Sequence, residues 1–258
     1  AYTDAHADRT DNPHNVTAAQ VGAAPASDNA GFHNSIYRGK FLGDEVTSEQ
    51  WDRIDDGTFR DMYIGDYWTI NETTYLIAAF NYYYDTGATR LTTNHITLVP
   101  AGSLYTHRMN PTNTTEGGYV NSEMYTSGLD QAKTKIHDDF EGHVLTHERD
   151  LCNAAVNGKA SGRAWFDSEV ELMNEVMVYG SIVFGSSTIG GSGYNIGIDK
   201  VQLPLFALRP DLITIGISWW LRDVASADRF AFVTSDGIAY AYRASYAFGV
   251  RPVFSISA

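Results

Sequence analysis

The stretch that decides the fold is GIAYAYRASYAFGVRPVF, Gly237 to Phe254. Read with a period of two, one side carries Ile238, Tyr240, Tyr242, Ala244, Tyr246, Phe248 and Val250. The other side, from Ala239 to Gly249, is small throughout apart from Arg243. Alternation of this kind marks an extended chain with two unlike faces. Turned inward, the aromatic side makes a buried strand. Turned outward, it makes a recognition surface. The pattern alone is compatible with both.

Working outward, LPLFALRPDLITIGISWWLRDV (from Leu203) and the quoted stretch read as strands joined by tight turns, one of them TSDG at 234–237. Trp219 and Trp220 are adjacent, so a strand points them to opposite faces. One is expected in the core and the other over a flanking helix, with sugar stacking as the functional alternative. Arg222 and Arg251 are expected to brace turns by donating to carbonyl groups.

Further upstream, YIGDYWTINETTYLIAAFNYYY is rich in aromatic and β-branched residues around NET and reads as a β-hairpin. Thr47 and Gln50 have capping-box spacing before a short helix stopped by Gly57. In SGLDQAKTKIHDDFEG, Ser127 and Asp130 give a cap signal, Gly142 lies near the end, and Leu129, Ala132, Ile136 and Phe140 share one helical face. A third helix is expected over DSEVELMNEVMVYG, with Ser168 and Glu171 as its box and Gly180 as its stop. Its Val170, Met173, Val176 and Met177 read as a core-facing stripe. Short helices scattered among many strands predict an α+β fold.

The chain has 258 residues, enough for a substantial core, and a formal net charge of -13. That charge argues against a nucleic-acid partner, which needs a basic face. It also disfavours docking on an anionic membrane. No apolar run approaches the roughly 18 residues of a spanning helix, so no membrane insertion is expected. Cys152 stands alone, so no intrachain disulfide forms. Residues 1–30 have only Val16 and Val21 as large aliphatics and cannot bury enough surface to fold alone. They read as a linker or as part of a multi-chain stalk, cut from a longer protein.

Catalytic signatures are lacking. His143 and His147 are four apart, as helical zinc ligands are, but Val144 stands where a zincin needs Glu, and Gly142 breaks the helix. KIHDDFEGHVLTHERD is therefore read as a solvated, partly helical acidic face. GGSGYNIG fails the dinucleotide fingerprint because Gly197 falls one position late, and GSSTIGG has Ile189 where a nucleophile elbow needs Gly. STIGGSGYNIG is expected to be a flexible loop. No metal, cofactor or catalytic residue is assigned, and the chain is not expected to be an enzyme.

Two segments resemble known families. DNPHNVTAAQVGA, Asp11–Ala23, resembles the NPH-x-VT-x-x-QVG element of bacteriophage tail fibres and baseplates, where it lies in a shaft of three chains. Residues 36–258 resemble phage and prophage proteins of gut Firmicutes through RGKFLGDEVTSEQW, GTFRDMYIGDYWTI, HITLVPAGSLYTHRMNPTNTTEGGY, AWFDSEVELMNEVMVYG, WWLRDVASADRFAFV and FGVRPVFSI. The ending is similar to the strand that closes C-type-lectin folds of the formylglycine-generating-enzyme type. It is also similar to variable proteins of diversity-generating retroelements. Adenine-directed mutagenesis of AAC-type codons cannot yield Lys, Glu, Gln, Met or Trp, and none of these five occurs from Asp223 to Phe248.

The resemblance implies a stalk over 1–30 and a C-type-lectin-like receptor-binding domain over 31–258, with a variable region at about 223–248. It implies a homotrimer at a phage tail tip, made in the host cytoplasm. Other tail proteins would join on the N-terminal side, and a host surface receptor, protein or glycan, would bind the variable face. The candidate ligand-binding residues are Asp228, Arg229, Phe232, Thr234, Ser235, Asp236, Tyr240, Tyr242, Arg243, Tyr246 and Phe248. Phe232 and Phe248 read equally well as core, and Ser235 and Asp236 as turn residues before Gly237. Ile238, Val250 and Val253 are expected in the fixed scaffold. A virion component without a receptor and a tail-associated glycan hydrolase are the competing readings.

Overall fold

The computed structural model describes residues 29–186 and 201–258. The readings of the stalk and of STIGGSGYNIG fall outside the described residues, apart from Asn29 and Ala30 at the stalk's end.

The chain is α+β. A six-stranded sheet is built from β1 (Phe41–Gly43), β2 (Tyr67–Ile70), β3 (Thr73–Phe80), β4 (Ile96–Pro100), β13 (Pro252–Ile256) and β8 (Val170–Leu172), in that spatial order. A five-stranded sheet runs β11 (Ala239–Arg243), β10 (Arg229–Val233), β9 (Trp219–Val224), β12 (Ala247–Val250) and β5 (Tyr105–Arg108). A separate hairpin pairs β6 (His147–Val156) with β7 (Lys159–Ser168). The α-helices are α1 (Ala30–His33), α2 (Ser48–Asp55), α3 (Asp130–Phe140), α4 (Glu175–Tyr179) and α5 (Pro204–Leu208).

The C-terminal chain links the two sheets. β12 belongs to the five-stranded sheet and β13, one residue later, to the six-stranded one. Arg251 sits at that crossing, fully buried, with Nε donating to Pro100 O (2.9 Å) and Nη1 to Leu212 O (3.0 Å). Its guanidinium lies over the rings of Phe206 and Trp219. The carbonyl-bracing role read from the sequence holds here and at Arg222, whose Nη1 donates to Leu172 O at 2.8 Å.

Two apolar cores cover the two faces of the five-stranded sheet. Trp219, Leu221, Ala231 and Val233 pack with the strands of the six-stranded sheet. Trp220, Phe230, Phe232, Val224 and Val250 pack with Tyr119, Leu151, Leu172 and Met109. Both tryptophans are fully buried, Trp219 in the first core and Trp220 in the second. Trp220 donates through Nε1 to His107 O at 2.9 Å. Each large apolar side chain so buried contributes roughly 1.5–3 kcal/mol.

The capping box of α2 forms as read: Gln50 N donates to Thr47 Oγ1 and Thr47 N to Gln50 Oε1. The β2–β3 hairpin turns at Asn71 and Glu72, both at positive φ (43° and 65°). Three readings need correction. Ser127 does not cap α3; it lies within a π-helical turn over Met124–Gly128, and its hydroxyl donates to Glu123 O. The third helix shrinks to α4, capped by Asn174, because Val170–Leu172 pairs with β13 as β8. Ser168 Oγ and the Glu171 carboxyl bond each other instead of a helix end. Finally, LPLFALRPDLI forms α5 and a 3-10 turn, Pro210–Ile213, rather than strands. Pro204 and Pro210 start these turns, where their missing N–H costs nothing.

Candidate recognition surface

The five-stranded sheet positions the aromatic residues by register. Phe232 lies opposite Tyr240 on one side and opposite Trp220 on the other, so β9, β10 and β11 set Trp220, Phe232 and Tyr240 in one row. Phe230 and Tyr242 form the next pair. Phe248 stacks on Phe232 with centroids 4.6 Å apart and an angle of 19°. Tyr242 packs on Phe248 at 5.6 Å and on Tyr246 at 4.8 Å. Phe232, Tyr240, Tyr242, Tyr246 and Phe248 thus form one continuous ring network.

Exposure is graded along it. Trp220 is fully buried, Phe232 is 5% exposed, and Tyr242 and Phe248 are half-buried. Tyr240 and Tyr246 reach 48% and 53%. The small residues of the alternation face the other way. Ala239, Ala241 and Ala231 are buried beside Val233 and Trp219, which lets the first core approach the backbone closely. The period-two pattern therefore reports both a core face and a partly exposed aromatic face.

The polar candidates sit around this network. At one end of the β10–β11 hairpin, Thr234 Oγ1 hydrogen-bonds the Asp236 carboxylate and accepts from Ile238 N at 2.9 Å. Gly237 closes that turn at φ 87°, with Ser235 and Asp236 exposed. At the other end, Ser226 Oγ donates to Asp228 at 2.7 Å, and Arg229 stands 3.7 Å from the same carboxylate. Arg229 lies opposite Arg243, and both occupy the sheet face of the alanines. The structure thus brings the five rings together and sets the two arginines on the other face.

Ile238 is a correction: at 60% exposure it belongs to the surface, not to the scaffold. Val250 and Val253 are fully buried, as expected. Two further surface residues escaped the sequence reading. Phe184, 40% exposed, packs edge-on against Tyr240 at 5.3 Å, and Val183 beside it is 52% exposed. The run IVF at 182–184, apolar and just ahead of a glycine-rich segment, was the available signal.

The 183–185 segment is held by Glu175. Its carboxylate accepts from Val183 N (2.8 Å), Phe184 N (3.0 Å) and Gly185 N (2.8 Å). Glu175 N in turn donates to Asp223 Oδ2 at 2.7 Å. Desolvation, reinforced by the Glu175 charge, pushes the Asp223 carboxyl up to about 7.

Among the described residues, no group of three or more His, Cys, Asp or Glu is placed to hold a metal ion. His143 stacks on Trp51 at 3.9 Å and bonds Ser257 O, while His147 lies on β6 among buried rings. The helix ends at Phe140, ahead of His143, so the break read at Gly142 leaves neither histidine on it. Among the described residues, no helix is long and apolar enough to cross a membrane. What the aromatic face offers is contact: ring area on a rigid sheet, with hydroxyls that bond at little entropic cost. The chain matches no protein-family model, no curated protein and no solved structure.

Proposed function

We propose that this protein is a receptor-binding adhesin of a phage tail tip. In this reading a C-type-lectin-like domain presents a diversified aromatic surface to the host cell. The observation that carries it is the clustering of Tyr242 and Tyr246 on Phe248, with Tyr240 joined through Phe232, on one sheet face and inside a region free of Lys, Glu, Gln, Met and Trp. A fixed backbone with changing side chains is what codon-directed diversification requires. Interlocked rings provide large contact area without losing much side-chain freedom on binding. The stalk-like N-terminal segment supports a homotrimer, in which three weak contacts on one cell add as avidity.

The test is binding of fluorescently labelled protein to a panel of gut Firmicutes cells, with and without Tyr240→Ala, Tyr242→Ala and Tyr246→Ala combined. Strain-selective labelling that the triple variant loses supports the reading. Labelling that the variant retains refutes the display surface.

A further inference from the structure

We propose that residues 183–186 are a proton-fastened strap: protonation of Asp223 in acid holds the segment against Tyr240, and loss of that proton toward neutral pH releases it. The device is built from two carboxyl groups that one short piece of chain covers.

The strap has few ties, and most of them run to one side chain. The buried Glu175 carboxylate accepts from Val183 N (2.8 Å), Phe184 N (3.0 Å) and Gly185 N (2.8 Å). Ser186 N adds a bond to Val224 O at 2.8 Å, at the end of β9. Phe184, carried by this segment, meets Tyr240 edge to face with centroids 5.3 Å apart. The rest is loosely packed: Val183 and Phe184 stand 52% and 40% exposed, and the buried Ser186 hydroxyl finds no partner among the described residues. A segment with so few buried contacts opens locally at low cost.

Beneath the strap the second acid is as close as the first. A Cβ on Gly185 would lie 2.9 Å from Asp223 Cβ, 3.3 Å from Asp223 Cγ and 3.1 Å from Glu175 Oε2, so both side chains meet the strap at one backbone position. Glu175 N donates to Asp223 Oδ2 at 2.7 Å, which fixes the pair. Two like charges this close and out of water oppose each other, and one group takes up a proton. The donors decide which. Three amides stabilise charge on Glu175, whereas Asp223 has a single backbone donor, so the proton goes to Asp223.

The other groups facing Asp223 do not replace that proton. Arg222, beside it on β9, donates to Leu172 O, and Arg163 of β7 is engaged by Asp150 at 2.9 Å. Both favour the ionised form but are outweighed by desolvation and then by the Glu175 charge, which push the Asp223 carboxyl up to about 7. Cys152 of β6 also faces it, with a thiol itself pushed up by burial. Asp223 keeps part of its surface in contact with solvent, which gives the proton a way out.

Opening the strap lets water reach both acids and returns Asp223 toward its ordinary value of 3.8. The closed strap therefore binds the proton more tightly than the open one. Closure has its full support below about pH 4 and loses it progressively up to about pH 7, above which both forms are ionised and the dependence ends. With the strap open, Phe184 leaves the ring of Tyr240.

The test is amide hydrogen exchange followed by NMR between about pH 5 and 8, expressed as protection relative to the unstructured rate at each pH. Protection at Val183, Phe184, Gly185 and Ser186 is expected to fall about tenfold or more from pH 5 to 7 and to level off above it, while local exchange in α2 does not follow pH. Contacts between the Phe184 and Tyr240 rings are expected to weaken over the same range. Asp223→Asn, which keeps an acceptor for Glu175 N, is expected to hold the protection constant. Protection independent of pH in the parent overturns the strap, as does a fall that survives in Asp223→Asn. Should that variant not fold, the carboxyl carbon of Asp223 in the parent decides by its own NMR titration. A midpoint of about 7, where the loss of protection ends, upholds the proposal, and one in the ordinary carboxylate range overturns it.

Discussion

Phe232 and Tyr240 face each other across β10 and β11, yet they belong to different environments. Phe232 is sealed beneath Phe248 and Trp220, and Tyr240 stands half in water. Truncation should separate them. Phe232→Ala is expected to cost roughly 3–5 kcal/mol in denaturant unfolding, and Tyr240→Ala under about 1.5 kcal/mol. Equal costs would mean that the graded exposure has no energetic meaning. The alternation of large and small residues was legible from sequence because period two is a local property. How deep each ring lies was not, since depth depends on where the second core ends beneath the sheet.

At the scale of elements, local signals succeeded where the flanking chain had no competing partner. Thr47 and Gln50 capped α2 as their spacing implies. The same kind of signal at Ser168 and Glu171 failed because Val170–Leu172 found a strand partner in β13 and was buried on both faces. Tertiary pairing outweighs a capping box worth about 1 kcal/mol. The β6–β7 hairpin shows the reverse dependence. Its turn uses Asn157 and Gly158 at φ 51° and 75°, and a Cβ on Gly158 would lie 2.4 Å from Ala227 N. That contact presses the hairpin tip onto the chain leading from β9 to β10. Gly158→Ala is therefore expected to destabilise by about 1–3 kcal/mol and to speed amide exchange at 226–228. A neutral substitution would show that the tip does not support the β9–β10 turn.

At the scale of the molecule, acidity and burial meet at Asp223. Its carboxyl is raised to about 7 from an ordinary value near 3.8. The folded protein therefore keeps a proton that the unfolded chain releases above about pH 4. The stabilisation is fully present at acid pH and is lost as pH rises from about 4 through 7. Asp223→Asn, which preserves an acceptor for Glu175 N, should abolish this loss. Relative to the parent, the variant should gain on the order of a few kcal/mol between pH 4 and 8, followed by thermal unfolding across that range. A pH-independent difference would contradict the raised carboxyl.

The α+β class, the β2–β3 hairpin and the aromatic candidates were legible in the sequence. The contact of Phe184 with Tyr240 was not, because it depends on how the Glu175 carboxylate holds the 183–185 amides. The most direct measurement compares Tyr240→Ala with Phe41→Ala, two rings equally exposed at 48% on different sheets, in binding of labelled protein to cells that the parent protein labels. Loss of binding at Tyr240 with full retention at Phe41 is the predicted result. Equal retention, or equal loss, would contradict a recognition surface on the five-stranded sheet.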